Sequence, residues 1–234
     1  EIVAVNDGST DKTEEILLEY KSKGVPITYF CQKNQGFAVA RNKAIELSKG
    51  KWIAVIDHDD ICIPKRLEIQ KNHIQENSSV KLFFANTIHF DDDGTEIRRQ
   101  FDRFNPCGLD LTKVKATNNL LVHGCFIDTE AVIFNKKAAI SIGGFDTSYK
   151  FVADYEFFLR MGLTFDLFGS EALVSKWRVH KGQASQTMEM IMFNEGNRNY
   201  FKYFHSNYIT TKTRVRMILN FGKRYLKKVL FAWT

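Results

Sequence analysis

The sequence predicts an α/β protein, a Rossmann-like mixed and mostly parallel sheet flanked by helices, ending in a C-terminal amphipathic helix. Three observations carry that expectation. Short β-branched or aromatic runs, "EIVAV" at 1–5, "ITYF" at 27–30 and "WIAVI" at 52–56, alternate with segments of helical periodicity, the pattern of parallel strands joined by right-handed crossovers. With 234 residues and 44% hydrophobic content, the chain can bury one substantial core. Its charge is unevenly placed: residues 211–234 hold seven basic residues and no acidic one, whereas 26 basic residues face 27 acidic ones in the rest.

Each element has its own signal. The first helix begins near Asp11, which can cap it with Glu14 three residues on, and it turns Ile16, Leu17 and Tyr20 inward. The second follows "NQG" at 34–36, carries Ala40, Ala44, Ile45 and Leu47 as its apolar stripe, and ends at Gly50. A third starts at Pro64, a residue suited to the first helical position, and runs through Leu67, Ile69 and Ile74. "VKLFFANTIHF" (80–90) reads as a longer strand, and "DDDG" (91–94) as a turn into "TEIRRQF". From 130 to 178 the signals mix: "EAVIFNKKAAISI", a break at "GGF", a helix over "VADYEFFLRMG", and a strand over "EALVSKWRV". The expected division is a main domain over 1–205 and a basic amphipathic helix over 206–234.

Composition excludes several classes. A nearly neutral body without a basic face of its own argues against nucleic acid as a partner. Cys31, Cys62, Cys107 and Cys125 match neither a zinc-ligand spacing nor a dense disulfide framework, so the cysteines are expected to be reduced and the protein cytoplasmic. No charged-then-apolar leader opens the chain, and no apolar run approaches the roughly 18 to 20 residues of a spanning helix.

Chemistry concentrates where the strands end. In open parallel sheets ligands bind outside the carboxyl ends of the strands. Asp7 after the first strand, Asn34 after the second and "DHDD" (57–60) after the third share that edge. Carboxylates this close repel one another unless positive charge lies between them. Oxygen donors suit Mg2+ or Mn2+, either of which keeps positions open for substrate phosphates. The same acids would also cap the helix starting at Pro64, and local spacing does not choose between the two.

Five segments in order, "IVAVNDGSTDKT", "NQGFAVARNKAI", "GKWIAVIDHDDICIPKRLE", "GGFDTSYKFVADYEFFLR" and "WRVHKGQASQ", resemble the family 2 glycosyltransferases with the nucleotide-diphospho-sugar-binding GT-A fold. The resemblance covers roughly residues 1–185 and assigns roles. It implies that Asp7 contacts the nucleobase or ribose of the donor and that Arg41 lines the nucleotide side. Asp57 and Asp59 match the two acids of an Asp-x-Asp motif, contacting ribose and metal, with Asp59 the first choice for direct ligation. His180 would approach the metal and diphosphate, and Asp154 would be the catalytic base. Gly143 and Gly144 would let the loop before Phe145 approach the acceptor. The implied activity is inverting, Mn2+- or Mg2+-dependent transfer of a sugar from a nucleotide-diphospho-sugar, a UDP-sugar by expectation, to a hydroxyl of a glycan or lipid-linked acceptor, as in polysaccharide biosynthesis. Family members usually carry a strand and a helix before the point where this chain begins, so an open sheet edge is expected beside the first strand. Ala153 stands where such proteins often place another acid. The alternatives are a non-catalytic sugar-nucleotide-binding protein or fragment and, third, a metal-dependent nucleotidyltransferase.

The tail is read separately. Val215, Ile218, Leu219, Tyr225, Leu226, Val229, Leu230 and Trp233 recur at helical spacing, with most of the basic residues on other faces. This predicts a basic helix lying on an anionic membrane surface, peripheral on the cytoplasmic face. The alternative is a helix packed on the protein's own core.

Overall fold

The computed structural model describes residues 1–183 and 188–231, without the side chains of residue 224 and of 227–231. The strands are β1 (Ile2–Asn6), β2 (Ile27–Cys31), β3 (Trp52–Ala54), β4 (Ile61–Cys62), β5 (Leu82–Phe90), β6 (Glu96–Arg99), β7 (Ile133–Asn135) and β8 (Leu167–Arg178). The helices are α1 (Thr13–Ser22), α2 (Phe37–Leu47), α3 (Arg66–Glu76), α4 (Lys115–His123), α5 (Lys136–Ser141), α6 (Ala153–Thr164), α7 (Glu189–Phe204) and α8 (Thr211–Phe231).

The sheet comes in two pieces. β1 and β2 pair in parallel, Ile2 opposite Ile27 through Asn6 opposite Cys31. The larger piece has the order β3-β7-β5-β8-β4, with β6 also on β5. Its long central ladder, β5 with β8, is parallel, and the short ladders around it are antiparallel. The expected parallel continuation from the second strand to the third is absent. β3 instead lies antiparallel to β7, Trp52 opposite Asn135 and Ala54 opposite Ile133, and among the described residues β1 has a ladder on one edge only.

That break explains a second correction. α1 was expected to turn Ile16, Leu17 and Tyr20 inward, yet it buries no residue, and Ile16 and Tyr20 are half exposed. A helix can bury its apolar stripe only against a surface wide enough to cover it, and two strands are too narrow.

In α3 the expected stripe is kept only in part, with Ile69 and Ile74 packed against buried clusters. Leu67 is exposed, while Arg66 and Gln70 are buried. Arg66 donates to the carbonyls of Val55 and Val132, and Gln70 to that of Ala131. These are carbonyls just beyond the β3–β7 ladder, which a buried backbone must have satisfied. α4 was not expected at all. Its Thr117 and Asn118 favour turns and caps in isolation, but Thr117 donates to the Leu159 carbonyl and Asn118 to that of Tyr208.

The core lies where α4 and α6 pack behind the larger sheet piece. Phe157, Phe158, Leu159 and Met161 of α6 are almost fully buried. Phe157 stacks on Phe145 at 4.3 Å and meets Phe134 of β7 at 5.1 Å. The expected boundary at 205/206 is no break in packing. Met217 and Thr213 of α8 are buried, Asn220 donates to the Val122 carbonyl, and Arg214 donates to those of Phe204 and Ser206. Trp233 and the side chains of Lys227, Lys228, Val229 and Leu230 lie outside the described residues.

Candidate active site

Three strand ends and the first turn of α6 build the site. At the end of β1, Asp7 accepts hydrogen bonds from Gln32 Nε2 (2.8 Å) and from the backbone amides of Gln35 (2.9 Å) and Gly36 (2.8 Å). The carboxylate thereby ties β1 to the loop that opens α2. Gly8 beside it has φ +82°, and a Cβ there would lie 2.9 Å from the Asn34 amide nitrogen, so only glycine lets the two loops approach this closely.

The acids at 57–60 form a turn in which the Asp60 amide donates to the Asp57 carbonyl. The end of β8 clamps that turn. The Arg178 amide donates to Asp60 Oδ1 at 2.9 Å and Arg178 Nε to the Asp59 carbonyl at 3.1 Å. Just beyond β8, His180 Nε2 lies 3.3 Å from Asp59 Oδ2. Two residues expected on the metal side, 121 positions apart in sequence, are thus in contact. Asp57 has a different partner. Both of its oxygens accept from Arg41 Nη2 of α2, at 2.8 and 2.9 Å.

Arg41 is coupled by charge both to this turn and to the expected base. Burial alone would lower its guanidinium, but Asp57 and Asp154 more than offset this and hold its pKa above the ordinary value. Its plane lies over the Phe37 ring at 4.8 Å, and Nη1 is buried without a hydrogen-bond partner among the described residues. Asp154 sits in the first turn of α6. Its Oδ1 accepts from the Tyr155 amide at 2.7 Å and its Oδ2 from Thr129 Oγ1 at 3.0 Å. Burial raises its pKa above the usual aspartate value, with Arg41, the Tyr155 amide and Thr129 opposing.

A second acidic group was not anticipated. Because β7 runs antiparallel to β3, the residues before Ile133 lie beside those after Ala54, and the Val55 amide donates to the Val132 carbonyl. Asp128 and Glu130 are thereby brought toward the 57–60 turn. Asp128 Oδ2 contacts His89 Nε2 at 3.0 Å. Glu130 is buried with one oxygen unpartnered among the described residues, and burial, reinforced by Asp128 and Asp60, pushes its carboxyl well above the usual range. The signal was present as a second acidic alternation, "DTE" at 128–130, but only the antiparallel register connects it to the first.

On the other side of Arg41, Asn42 grips the loop expected to face the acceptor. Its Oδ1 accepts from the Phe145 amide at 2.7 Å and its Nδ2 donates to the Phe145 carbonyl at 2.8 Å. Gly143 and Gly144 have φ +89° and +67°, and a Cβ on Gly144 would lie 2.5 Å from Asn42 Oδ1. The Phe145 ring cannot face an acceptor, since it is buried in the core against Phe157; only its backbone borders the loop.

Among the described residues no three His, Cys, Asp or Glu side chains converge to metal-binding distance. The donor set nonetheless fits a hard divalent cation. Asp59 and His180 form an oxygen–nitrogen pair, and beside them Asp60 Oδ2 is buried and unpartnered among the described residues. Burial, with Asp59, Asp57 and Asp128 adding, pushes the Asp60 carboxyl up to about 7, the response expected where negative charge lacks a counter-ion.

A mixed sheet flanked by helices, with an acid-lined crevice at its strand ends, defines the GT-A class of nucleotide-sugar folds. The solved structures agree on the fold. S. aureus TarS 1-349 in complex with UDP-GlcNAc aligns with TM-score 0.63 and 16% identity over 93% of this chain and 69% of that one. The mannosyltransferase PcManGT from Pyrobaculum calidifontis, in complex with GDP-Man and Mn2+, aligns with TM-score 0.61 and 15% identity over 94% and 64%. The chain belongs to glycosyl transferase family 2, whose model matches residues 1–140. An uncharacterized glycosyltransferase of Rickettsia typhi is 30% identical over 190 residues, 80% of this chain and 57% of that protein. The chain therefore spans a little over half the length of that relative, and Asp154 and His180 lie beyond the segment matched by the family model.

Proposed function

We propose that the protein is an inverting glycosyltransferase that takes a sugar from a nucleoside-diphosphate sugar, a UDP-sugar by preference, and delivers it to a hydroxyl of a glycan or lipid-linked acceptor. The observation that carries the reading is the Asp57–Arg41 ion pair, with Asp154 within its electrostatic reach, beside the Asp59–His180 pair. It sets a candidate base in the field of a guanidinium whose Nη1 is buried and unpartnered among the described residues. Family membership and the bound nucleotide sugars of the two similar structures support the donor class.

In this reading Asp7 holds the nucleotide side by ordering the 32–36 loop, and Arg41 offers Nη1 to the donor. A divalent cation, Mn2+ or Mg2+, held by Asp59 and His180 would supply positive charge against the departing diphosphate. Asp154 accepts the acceptor's hydroxyl proton as that oxygen bonds to the anomeric carbon. The bond from that carbon to the diphosphate oxygen breaks, and a nucleoside diphosphate leaves. Attack opposite the leaving group inverts the centre. A carboxylate whose pKa is raised by burial is the better proton acceptor, while Thr129 and the Tyr155 amide fix its direction.

The test is a pair of variants. Asp154→Asn keeps the shape of the side chain and is expected to lower kcat by on the order of 10² to 10⁴, the usual cost of losing a general base, with UDP affinity within a few fold. Asp59→Asn is expected to do the reverse to binding, weakening Mn2+-dependent UDP affinity in calorimetry. Near wild-type transfer by Asp154→Asn, or unchanged metal dependence in Asp59→Asn, would overturn the corresponding assignment.

A further inference from the structure

The two faces of α8 have different fates. One face, through Thr213, Met217 and Asn220, is bound to the body. The other carries Val215, Ile218, Leu219, Tyr225 and Leu226, each more than half exposed. At about 100° per residue these five fall within an arc of about 120° pointing away from Met217. Phe201 of α7 extends the patch. It is 64% exposed and meets Phe221 edge-on at 5.8 Å. A contiguous apolar patch of this kind marks an interaction surface, unlike single exposed apolar residues.

The flanking charge selects the partner. Lys212, Arg216 and Lys223 are exposed along one side of the apolar arc, and residues 211–234 contain no acid to oppose them. A second copy docking face to face in antiparallel fashion would bring the same basic flank against itself without compensation. No helix among the described residues is long and apolar enough to cross a membrane, so α8 does not span one. An amphipathic helix with a basic flank and an unpartnered apolar arc fits the headgroup layer of an anionic bilayer. We propose that α8 docks the protein on an anionic lipid surface, its apolar arc sunk among the headgroups and Lys212, Arg216 and Lys223 against lipid phosphates. Such a location would bring the crevice to acceptors carried on lipid.

The test uses the intact protein with two kinds of vesicle, phosphatidylcholine alone and phosphatidylcholine with phosphatidylglycerol. Co-sedimentation is expected with the anionic vesicles only, and it should fall as salt is raised. Arg216→Gln with Lys223→Gln should lower partitioning by about fivefold per neutralised charge. Leu219→Asn with Leu226→Asn should lower it by about tenfold per leucine removed. All four positions are exposed, so the melting temperature and UDP binding should stay unchanged, which separates this test from that of the active site. Equal binding to neutral vesicles, no binding to either, or indifference to both variant pairs would overturn the proposal. So would a dimer, seen by light scattering without vesicles, that Leu219→Asn with Leu226→Asn dissolves.

Discussion

Asp60 is the most exacting residue of the acidic turn. Its Oδ1 is satisfied by the Arg178 amide, its Oδ2 is buried without a partner among the described residues, and its carboxyl is pushed up to about 7. In the unfolded chain it titrates near 4. Between these two values the folded state holds one proton more than the unfolded state, so this group's contribution makes stability fall as pH rises, and the fall ends above about 7. Asp60→Asn keeps the acceptor for Arg178 and removes the charge. The variant is therefore expected to melt roughly 2 to 4 °C above wild type at pH 8 without metal, with the gap closing toward pH 5, as followed by circular dichroism. A gap independent of pH would show that the charge is not the cause. Of the candidate site, the acids after the third strand were legible from the apolar strand that precedes them, whereas Arg41, Asp154 and His180 were reached only through the family resemblance. Asp128, Thr129 and Glu130 were not legible, because their place depends on β7 pairing antiparallel with β3, and a three-residue strand carries no direction in its sequence.

At the level of elements, the crevice is held by side chains that cross between them. Asn42 of α2 makes both of its amide hydrogen bonds to Phe145, 103 residues on, and that loop is also fixed by Arg160, which donates to the Gly144 carbonyl and pairs with the buried Glu156. Glu156 is thus a structural anion, since Lys202 holds its other oxygen. Asn42→Ala removes two hydrogen bonds, roughly 1 to 3 kcal/mol of local order. The expected result is an acceptor KM raised up to about tenfold, with donor affinity unchanged in calorimetry, because the donor-side contacts proposed for Asp7 and Asp57 do not pass through Asn42. Element types were readable from periodicity along most of the chain, as the long β5 and β8 illustrate. Which face is buried was less readable. In α1 and α3 the apolar stripe lies partly in solvent, because burial depends on what lies beneath, and the two-stranded β1–β2 piece and the open carbonyls beyond β3 are products of topology.

At the scale of the whole molecule, α8 has to serve as part of the core and as a surface at once. Met217 is only 1% exposed and belongs to the same cluster as Leu120 and Phe157, whereas Leu219, two residues on, is 52% exposed. A helix tethered to the body only by the chain would tolerate truncation at either position alike. A helix docked through one face would not. Met217→Ala is expected to cost about 2 to 5 kcal/mol, the usual range for emptying a buried site of that size, while Leu219→Ala should stay within about 0.5 kcal/mol, as exposed substitutions do. Chemical denaturation of both variants decides the matter, with the slope against denaturant checked to stay constant so that midpoints report stability. Equal small effects would mean that α8 leaves the body in solution, and the surface it presents would then no longer be fixed relative to the crevice. A large loss confined to Met217→Ala would establish that the exposed arc and the acidic crevice move as one body, which delivery of an acceptor from a surface to the site requires.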